Sequence, residues 1–155
     1  MKKVLSLVLV MCILSGMIIT LPINVSAATS GYYTYTGSNG EATITDCDRS
    51  ISGDVIIPST LGGYPVTSIG DDAFYFCDSL EKITIPASVT YIGEYAFFYC
   101  ESLTNIIIPA SVTSIRNNAF ASCTSLTSIK VDENNQYYTS DDGILFNKDK
   151  TKLIQ

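Results

Sequence analysis

Four cysteines are the first residues whose type and spacing point to chemistry. Cys77, Cys100 and Cys123 recur every 23 residues, and Cys47 precedes them. Outside the cytosol such a set favours disulfides. However, equivalent residues of stacked coils have parallel Cβ vectors about 4.8 Å apart, and a disulfide needs Cβ atoms about 3.8 Å apart that turn toward each other. We therefore predict a column of buried, reduced thiols, with a Cys47–Cys77 bridge as the alternative. The sequence contains no C-x-x-C pair, which would indicate a zinc site.

Aromatic residues recur at the same interval and form a second candidate site. The candidate aromatic patch consists of Tyr75, Tyr91, Tyr95 and Phe98. Phe76 and Tyr99 occupy the adjoining variable positions, which hold Ala121 and Ser122 in the next repeat. One interpretation is a ladder of rings that stacks on sugars. The other, which we favour from the sequence, is an aromatic column that closes the convex side, since ring pairs stabilise a surface without any ligand.

The residues of most catalytic and metal sites are missing. The chain has no histidine, the commonest general base and metal ligand. The pairs Asp71-Asp72 and Asp141-Asp142 supply the oxygen ligands that calcium prefers, but they lack the spacing of an EF-hand and are expected to be solvated turn residues. No phosphate-binding loop or nucleophile elbow is present. The sequence therefore predicts no enzyme, no catalytic residue, no metal and no cofactor.

The element that positions all these residues is a 23-residue repeat. Its units begin at Val66, Val89 and Val112 and share the pattern V-T-x-I-x-x-x-A-F-x-x-C-x-S-L-x-x-I-x-[IV]. The period lies in the range of leucine-rich repeats. The end of each unit alternates inward and outward like a short strand, and Pro86 and Pro109 follow the first two of these strands. We predict a leucine-rich-repeat solenoid with a short parallel β-sheet on one face and tight helical or 3₁₀ turns on the other.

Both ends of the repeat array are predicted to carry β-hairpin caps. Tyr32–Thr45 alternates around Ser38-Asn39-Gly40, an Asn-Gly hairpin signal. Downstream, Gly143–Phe146 and Lys152–Ile154 flank a polar turn and predict a second hairpin. The predicted organisation is a signal peptide (1–27), an N-terminal cap with a partial repeat (28–65), three repeats (66–134) and a C-terminal cap hairpin, expected to be truncated (135–155).

The first residues carry an export signal. Lys2 and Lys3 precede an apolar run, and Val25-Ser26-Ala27 suits cleavage before Ala28. A membrane anchor is the rival interpretation, because about 18 apolar residues can span a bilayer. Cleavage removes two of nine basic residues and none of the 15 acidic ones, which leaves a net charge of −8. Such a charge disfavours nucleic acid as a partner.

The repeat resembles a known family. Its consensus sequence, I-P-x-S-V-T-x-I-G-x-x-A-F-x-x-C-x-S-L, is similar to that of the BspA-type leucine-rich repeats of bacterial surface proteins. Two segments near the ends, ISGDVIIPSTLGGYPVTSIG and DDGILFNKDKTKLI, also resemble segments of that family. The third repeat departs from the pattern at Arg116 and Asp132. The resemblance implies a secreted or surface-attached solenoid, often within a longer protein, with binding or adhesive roles in some members. It implies no catalytic residues.

The outward strand positions form a candidate binding face. This face consists of Lys82, Thr84, Asn105, Ile107, Ser128 and Lys130. With Ile56 on the preceding strand, the outward positions of the four strands cover on the order of 150 Å², against about 800 Å² per partner in a standard protein complex. We expect a module that binds an extracellular protein, within a longer repeat array and without a transmembrane segment in the mature chain. The alternatives are a carbohydrate-binding module that uses the aromatic patch and a passive surface spacer.

Overall fold

The computed structural model describes residues 25–154, which contain thirteen β-strands and no helix. The predicted signal peptide therefore lies largely outside the described residues. The strands are β1 (Val25–Ser30), β2 (Tyr33–Ser38), β3 (Glu41–Cys47), β4 (Gly53–Ile56), β5 (Thr60–Leu61), β6 (Tyr64–Ile69), β7 (Leu80–Thr84), β8 (Tyr91–Ile92), β9 (Asn105–Ile108), β10 (Ser114–Ile115), β11 (Ser128–Val131), β12 (Tyr138–Asp141) and β13 (Ile144–Asn147).

The predicted parallel sheet is confirmed. Strands β4, β7, β9 and β11 pair in that order, and every pair is parallel. Ile83, Ile106 and Ile129 lie opposite one another and are buried. Their neighbours on each side point outward because side chains alternate along a strand. The repeat period thus becomes the step from one strand to the next.

A second parallel sheet, which was not predicted, runs along the other edge of the coils. It joins the V-T-x-I parts of the three repeats, in β6, β8 and β10, to β3 near the N-terminus, and the β3–β6, β6–β8 and β8–β10 pairings are all parallel. β8 and β10 are only two residues long. Each coil therefore contributes one strand to each sheet, and the inward-facing isoleucines of both sheets are buried between them.

The prediction of helical or 3₁₀ turns on the opposite side is wrong. The segment from Asp72 to Leu80 is a chain of single hydrogen-bonded turns, and Asp72 and Phe76 have φ values of 58° and 61°. A right-handed helix cannot pass through residues in that left-handed region. The N–H groups of Asp72, Phe74 and Phe76 donate instead to carbonyls of the next coil. Bonds between coils thus replace the bonds of a helix.

The core consists of columns of identical residues. The rings of Phe74 and Phe97 stack with their centroids 5.0 Å apart, and those of Phe97 and Phe120 stack at 5.5 Å. All three rings are almost fully buried. Columns of Ala, Leu and Ile run alongside them. Each coil therefore depends on its neighbours to bury its apolar side chains.

The N-terminal hairpin is confirmed. β2 and β3 pair antiparallel around the turn at Asn39 and Gly40, both of which have positive φ. β1 adds a third strand to this hairpin, and β3 pairs with β6. Tyr33 packs edge-on against Phe74 with centroids 6.3 Å apart. The hairpin thus covers the first ring of the phenylalanine column.

The C-terminal hairpin differs from the one predicted. β13 pairs with β12, a strand that was not predicted, across the turn at Asp142 and Gly143. The predicted pairing of the last residues with β13 is reduced to a single antiparallel bridge between Phe146 and Leu153. The Asp149–Thr151 turn with its own side-chain hydrogen bonds separates them. Leu145 of β13 is fully buried and closes the core.

Candidate functional site

The candidate binding face is one continuous surface of the sheet formed by β4, β7, β9 and β11. Thr84, Ile107 and Lys130 lie opposite one another in the strand register, and Ile56 extends the row to β4. All four side chains are exposed. Ile56 is 76% and Ile107 is 56% exposed. Two isoleucines on a solvent-facing row are unusual, because large apolar side chains are normally buried.

A second, more polar row runs parallel to the first. Lys82, Asn105 and Ser128 lie in register, with Asp54 at the β4 end. Nζ of Lys82 and Oδ2 of Asp54 are 3.1 Å apart, and both side chains remain more than half exposed. An exposed ion pair of this kind contributes little to stability. The structure therefore brings all six predicted face residues together, and they remain accessible to a partner.

The aromatic patch is only partly brought together. Tyr75 and Phe98 stack at 5.2 Å with an angle of 11° between their planes, and Tyr95 packs edge-on against Phe98 at 5.2 Å. Phe76 and Tyr99, which the patch as predicted omitted, stack at 4.7 Å and 6°. These two stacked pairs form an aromatic ladder, in which Tyr75 and Phe76 of the first repeat are one rung and Phe98 and Tyr99 of the second repeat are the other. The repeat register is the sequence signal that places Phe76 and Tyr99 in it.

Tyr91 lies apart from the aromatic ladder. It belongs to β8 in the other sheet, where it pairs with Ser68 and Ser114. It makes no ring contact with the other three patch residues among residues 25–154. Partial burial and the nearby negative charge of Asp71 raise its pKa. The structure therefore does not bring Tyr91 into ring contact with the rest of the predicted patch, because V-T-x-I folds as a strand rather than as part of the turn region.

The cysteine column is present as free thiols. Cys47, Cys77, Cys100 and Cys123 form no disulfide in the structure. The first three are buried, whereas Cys123 is half-buried, which corrects the prediction for that residue. The thiol of Cys100 donates to the carbonyl of Phe74 at 3.2 Å, and that of Cys123 to the carbonyl of Phe97 at 3.0 Å. Each thiol thus bonds to the preceding coil.

The acidic pairs take part in ordinary turn and surface interactions. Oδ1 of Asp71 accepts a hydrogen bond from the N–H of Glu94 at 2.8 Å. Oδ2 of Asp141 lies 2.7 Å from Nζ of Lys150. Within residues 25–154 no group of three or more possible metal ligands comes together. These carboxylates support the turns in which they lie.

One cavity lies at the C-terminal end of the repeats. Its volume is about 290 Å³, and its lining includes Ser122, Cys123, Thr124, Leu126 and Asp142. It opens between the turn region of the third repeat and the β12–β13 turn, and it exposes one edge of Cys123. The sequence could not show this cavity, because the packing of the cap hairpin on the third repeat creates it.

Two parallel sheets joined by hydrogen-bonded turns with a 23-residue period define a leucine-rich-repeat solenoid. A sequence profile described as a BspA type Leucine rich repeat region (6 copies) matches residues 50–148. The chain therefore belongs to the BspA-type leucine-rich-repeat family, as its resemblance indicated. A search of curated proteins gave no match. No helix in the described part of the chain is long and apolar enough to cross a membrane.

Two solved bacterial structures support this assignment. A leucine-rich repeat protein of T. pallidum is 32% identical with a TM-score of 0.61, and the match covers 67% of this chain and 49% of that protein. A leucine-rich repeat protein of Bacteroides capillosus is 30% identical with a TM-score of 0.53, and the match covers 69% of this chain and 99% of that protein. The chain thus spans about half the length of the T. pallidum protein.

Proposed function

We propose that this chain is a non-catalytic, protein-binding module exposed on a bacterial surface or secreted from the cell. The observation that carries the proposal is the outward row of the β4–β7–β9–β11 sheet, where Ile56 and Ile107 are 76% and 56% exposed. Exposed apolar side chains within a polar frame are typical of interaction sites. Thr84 lies between the two isoleucines, and Lys130 ends the row with a positive charge.

The small size of this face favours a weak contact for these repeats alone. The visible row has four positions, whereas a standard interface buries about 800 Å² per partner. Each added coil of a solenoid extends the same row by one strand. We therefore expect affinity to depend on how many repeats engage the partner at once, and we propose that these coils act within a longer array.

The proposal can be tested with an array of purified extracellular proteins. Fluorescently labelled residues 28–155 should bind a subset of the spots. Ile56→Lys/Ile107→Lys should lose those spots, since two charges replace the exposed apolar pair. The matched control is Thr113→Lys, which adds a lysine at an exposed position before β10 in the other sheet and should retain them. A passive spacer would bind nothing on the array, and binding that survives the double substitution would place the partner on another face.

Export is the second part of the proposal and has its own test. The pairs Ala28↔Tyr35, Thr29↔Thr34 and Ser30↔Tyr33 of β1 lie beyond the predicted cleavage point, so the N-terminal cap keeps these contacts after removal of residues 1–27. N-terminal sequencing of the protein from a culture supernatant should give Ala28 as the first residue. A start at Met1 in the membrane fraction would contradict it and favour the anchor.

A further inference from the structure

The aromatic ladder stops one coil short of the end of the repeats. Each of its two stacked pairs joins a ring of the first repeat to a ring of the second, Tyr75 to Phe98 and Phe76 to Tyr99. The equivalent residues of the third repeat are Ala121 and Ser122, which carry no ring. The third coil itself is in place there, because the N–H of Tyr99 donates to the carbonyl of Ala121 at 3.1 Å. A step the thickness of one ring is therefore left above Phe98 and Tyr99.

The floor of this step is aromatic and accessible. Tyr99 is 36% exposed, and Phe98 is half-buried. Their first faces are covered by the rings of Phe76 and Tyr75, so the faces turned toward the third repeat are those left for a ligand. Tyr95 packs edge-on against Phe98 and fixes its orientation. A ligand ring placed here would continue the spacing of about 5 Å between stacked rings.

Polar N–H groups without a coil-to-coil partner lie on the far side of the third repeat, next to the step at Ser122. In the first two repeats, three N–H groups of each turn donate to carbonyls of the next coil, those of Tyr95, Phe97 and Tyr99 for the second repeat. The third repeat has no following coil of this kind within residues 25–154, and the equivalent N–H groups of Asn118, Phe120 and Ser122 have no such acceptor. Ser122 also lines the cavity of about 290 Å³, together with Thr124 and Asp142.

We propose that this step, formed by Phe98, Tyr99, Ala121 and Ser122, binds a neutral pyranose ring of a glycan. The plane of Phe98 lies at 69° to that of Tyr99, so the sugar would stack its C–H face on the more exposed ring of Tyr99, whose face carries partial negative charge, with Phe98 beside it. Its hydroxyls would reach the hydroxyl of Ser122 and the polar edge of the adjoining cavity. A site that combines an apolar platform with a few directed polar groups is typical of small-ligand recognition.

The surroundings favour a neutral sugar over other occupants. An aromatic side chain of a partner protein would leave the hydroxyl of Ser122 without a partner, and unpaired polar groups oppose burial. An anionic sugar would face Asp142 and the net negative charge of the chain. The site goes beyond the proposed protein-binding face, because it lies in the turn region and shares no residue with it.

The deciding variant fills the step with the protein's own rings. Ala121→Phe/Ser122→Tyr reproduces the Phe98-Tyr99 pair of the second repeat as a third rung. This variant should fold at least as stably as the wild type, so a loss of binding cannot come from unfolding. Phe98→Ala/Tyr99→Ala removes the platform itself. The matched control is Ile56→Lys/Ile107→Lys, which changes only the sheet face.

The probes are chitohexaose, cellohexaose and an anionic heparin hexasaccharide. Their binding is measured by the NMR chemical-shift changes that each causes in residues 28–155. We expect shifts at Tyr99 and Ser122 with one of the neutral oligosaccharides and none with heparin. Both ladder variants should weaken that binding at least about tenfold, in line with the loss of ring contacts, and the sheet-face control should keep it. Binding by the filled variant, preference for heparin, or no shift with either neutral oligosaccharide would overturn the proposal. Because the sheet-face proposal is tested with protein spots, the two can fail independently.

Discussion

The side-chain amide of Asn135 donates a hydrogen bond to the backbone carbonyl of Val112, with Nδ2 and O 3.0 Å apart. Ser88 and Ser111 bond through their hydroxyls to the equivalent carbonyls of the two preceding coils, at 2.7 Å and 2.6 Å. Asn135 is one residue beyond the register of these serines, and its longer side chain spans the difference. The C-terminal cap thus continues a bond that the repeats make with serine.

Replacement of Asn135 should destabilise the protein strongly. Its side chain is fully buried, donates also to the carbonyl of Pro109 at 2.8 Å, and accepts bonds from the N–H groups of Tyr137 and Tyr138. Asn135→Ala leaves these groups unpaired in the interior, and we expect a loss of about 2–4 kcal/mol in the free energy of unfolding. Urea denaturation measures it. Asn134→Ala, at an exposed position in the same turn, should cost about 0.5 kcal/mol or less; equal losses would show that Asn135 is not the residue that holds the cap.

The sheet of β4, β7, β9 and β11 was predictable from the sequence, because inward and outward side chains alternate along its strands. The second sheet was not, since Tyr91–Ile92 is too short to show a period and pairs with a strand one repeat away. The turns were mistaken for helix because residues such as Phe76 adopt a left-handed backbone that bulky side chains disfavour. Bonds to the next coil compensate for it, and no local pattern records them.

The same holds for single residues of the candidate site. The register alone places Phe76 on Tyr99, although the predicted patch named neither. The glycine of the motif also has a structural reason: a Cβ on Gly93 would lie 2.4 Å from the carbonyl carbon of Gly70 in the coil before. These features are set by contacts between coils, which depend on how the caps pack as well as on the repeat, and the sequence of one repeat does not show them.

The central phenylalanine should be the most sensitive position of the core. Phe97 is fully buried and stacks on both sides, against Phe74 and Phe120. Phe97→Ala should lower the free energy of unfolding by about 3–5 kcal/mol, because it leaves a cavity between two packed rings. Thr84→Ala, on the exposed face of β7, should change it by less than about 0.5 kcal/mol. Guanidinium denaturation of both variants tests this, and similar losses would contradict the inward and outward assignment.

Alkaline pH should destabilise the fold through Tyr33. Burial, followed by the electrostatic influence of nearby Cys47, raises the pKa of Tyr33 to about 12, whereas an unfolded tyrosine titrates near 10. The folded state keeps the Tyr33 proton to a higher pH than the unfolded state does. The contribution of Tyr33 to the free energy of unfolding is therefore complete below pH 10 and is lost as the pH rises from 10 to 12. At pH 11 the loss should be about 1 kcal/mol.

The comparison with Tyr33→Phe isolates this effect, since the variant has no hydroxyl to ionise at that position. Urea denaturation at pH 9 and pH 11 should show a drop for the wild type that exceeds the drop for the variant by about 1 kcal/mol. Equal drops in the two proteins would mean that Tyr33 titrates in the folded state as it does in the unfolded one.

One cysteine of the column should react in the native protein and three should not. Cys123 is half-buried and lines the cavity at the end of the repeats. Interaction with the thiol of Cys100 lowers the pKa of Cys123, while the same interaction, followed by burial, raises the pKa of Cys100. The thiolate is the reactive form, so exposure and ionisation both favour Cys123.

Thiol titration with Ellman's reagent at pH 8, on protein that starts at Ala28, measures this directly. The native protein should release one equivalent, and Cys123→Ser should release none, whereas the denatured wild type should release four, one for each free cysteine. Cys77→Ser is the matched control and should leave the native equivalent unchanged, because Cys77 is fully buried. Two equivalents in the denatured protein, with a mass lower by two hydrogens, would instead show a disulfide. Its location by peptide mapping to Cys47 and Cys77 would establish the bridge that the sequence left open.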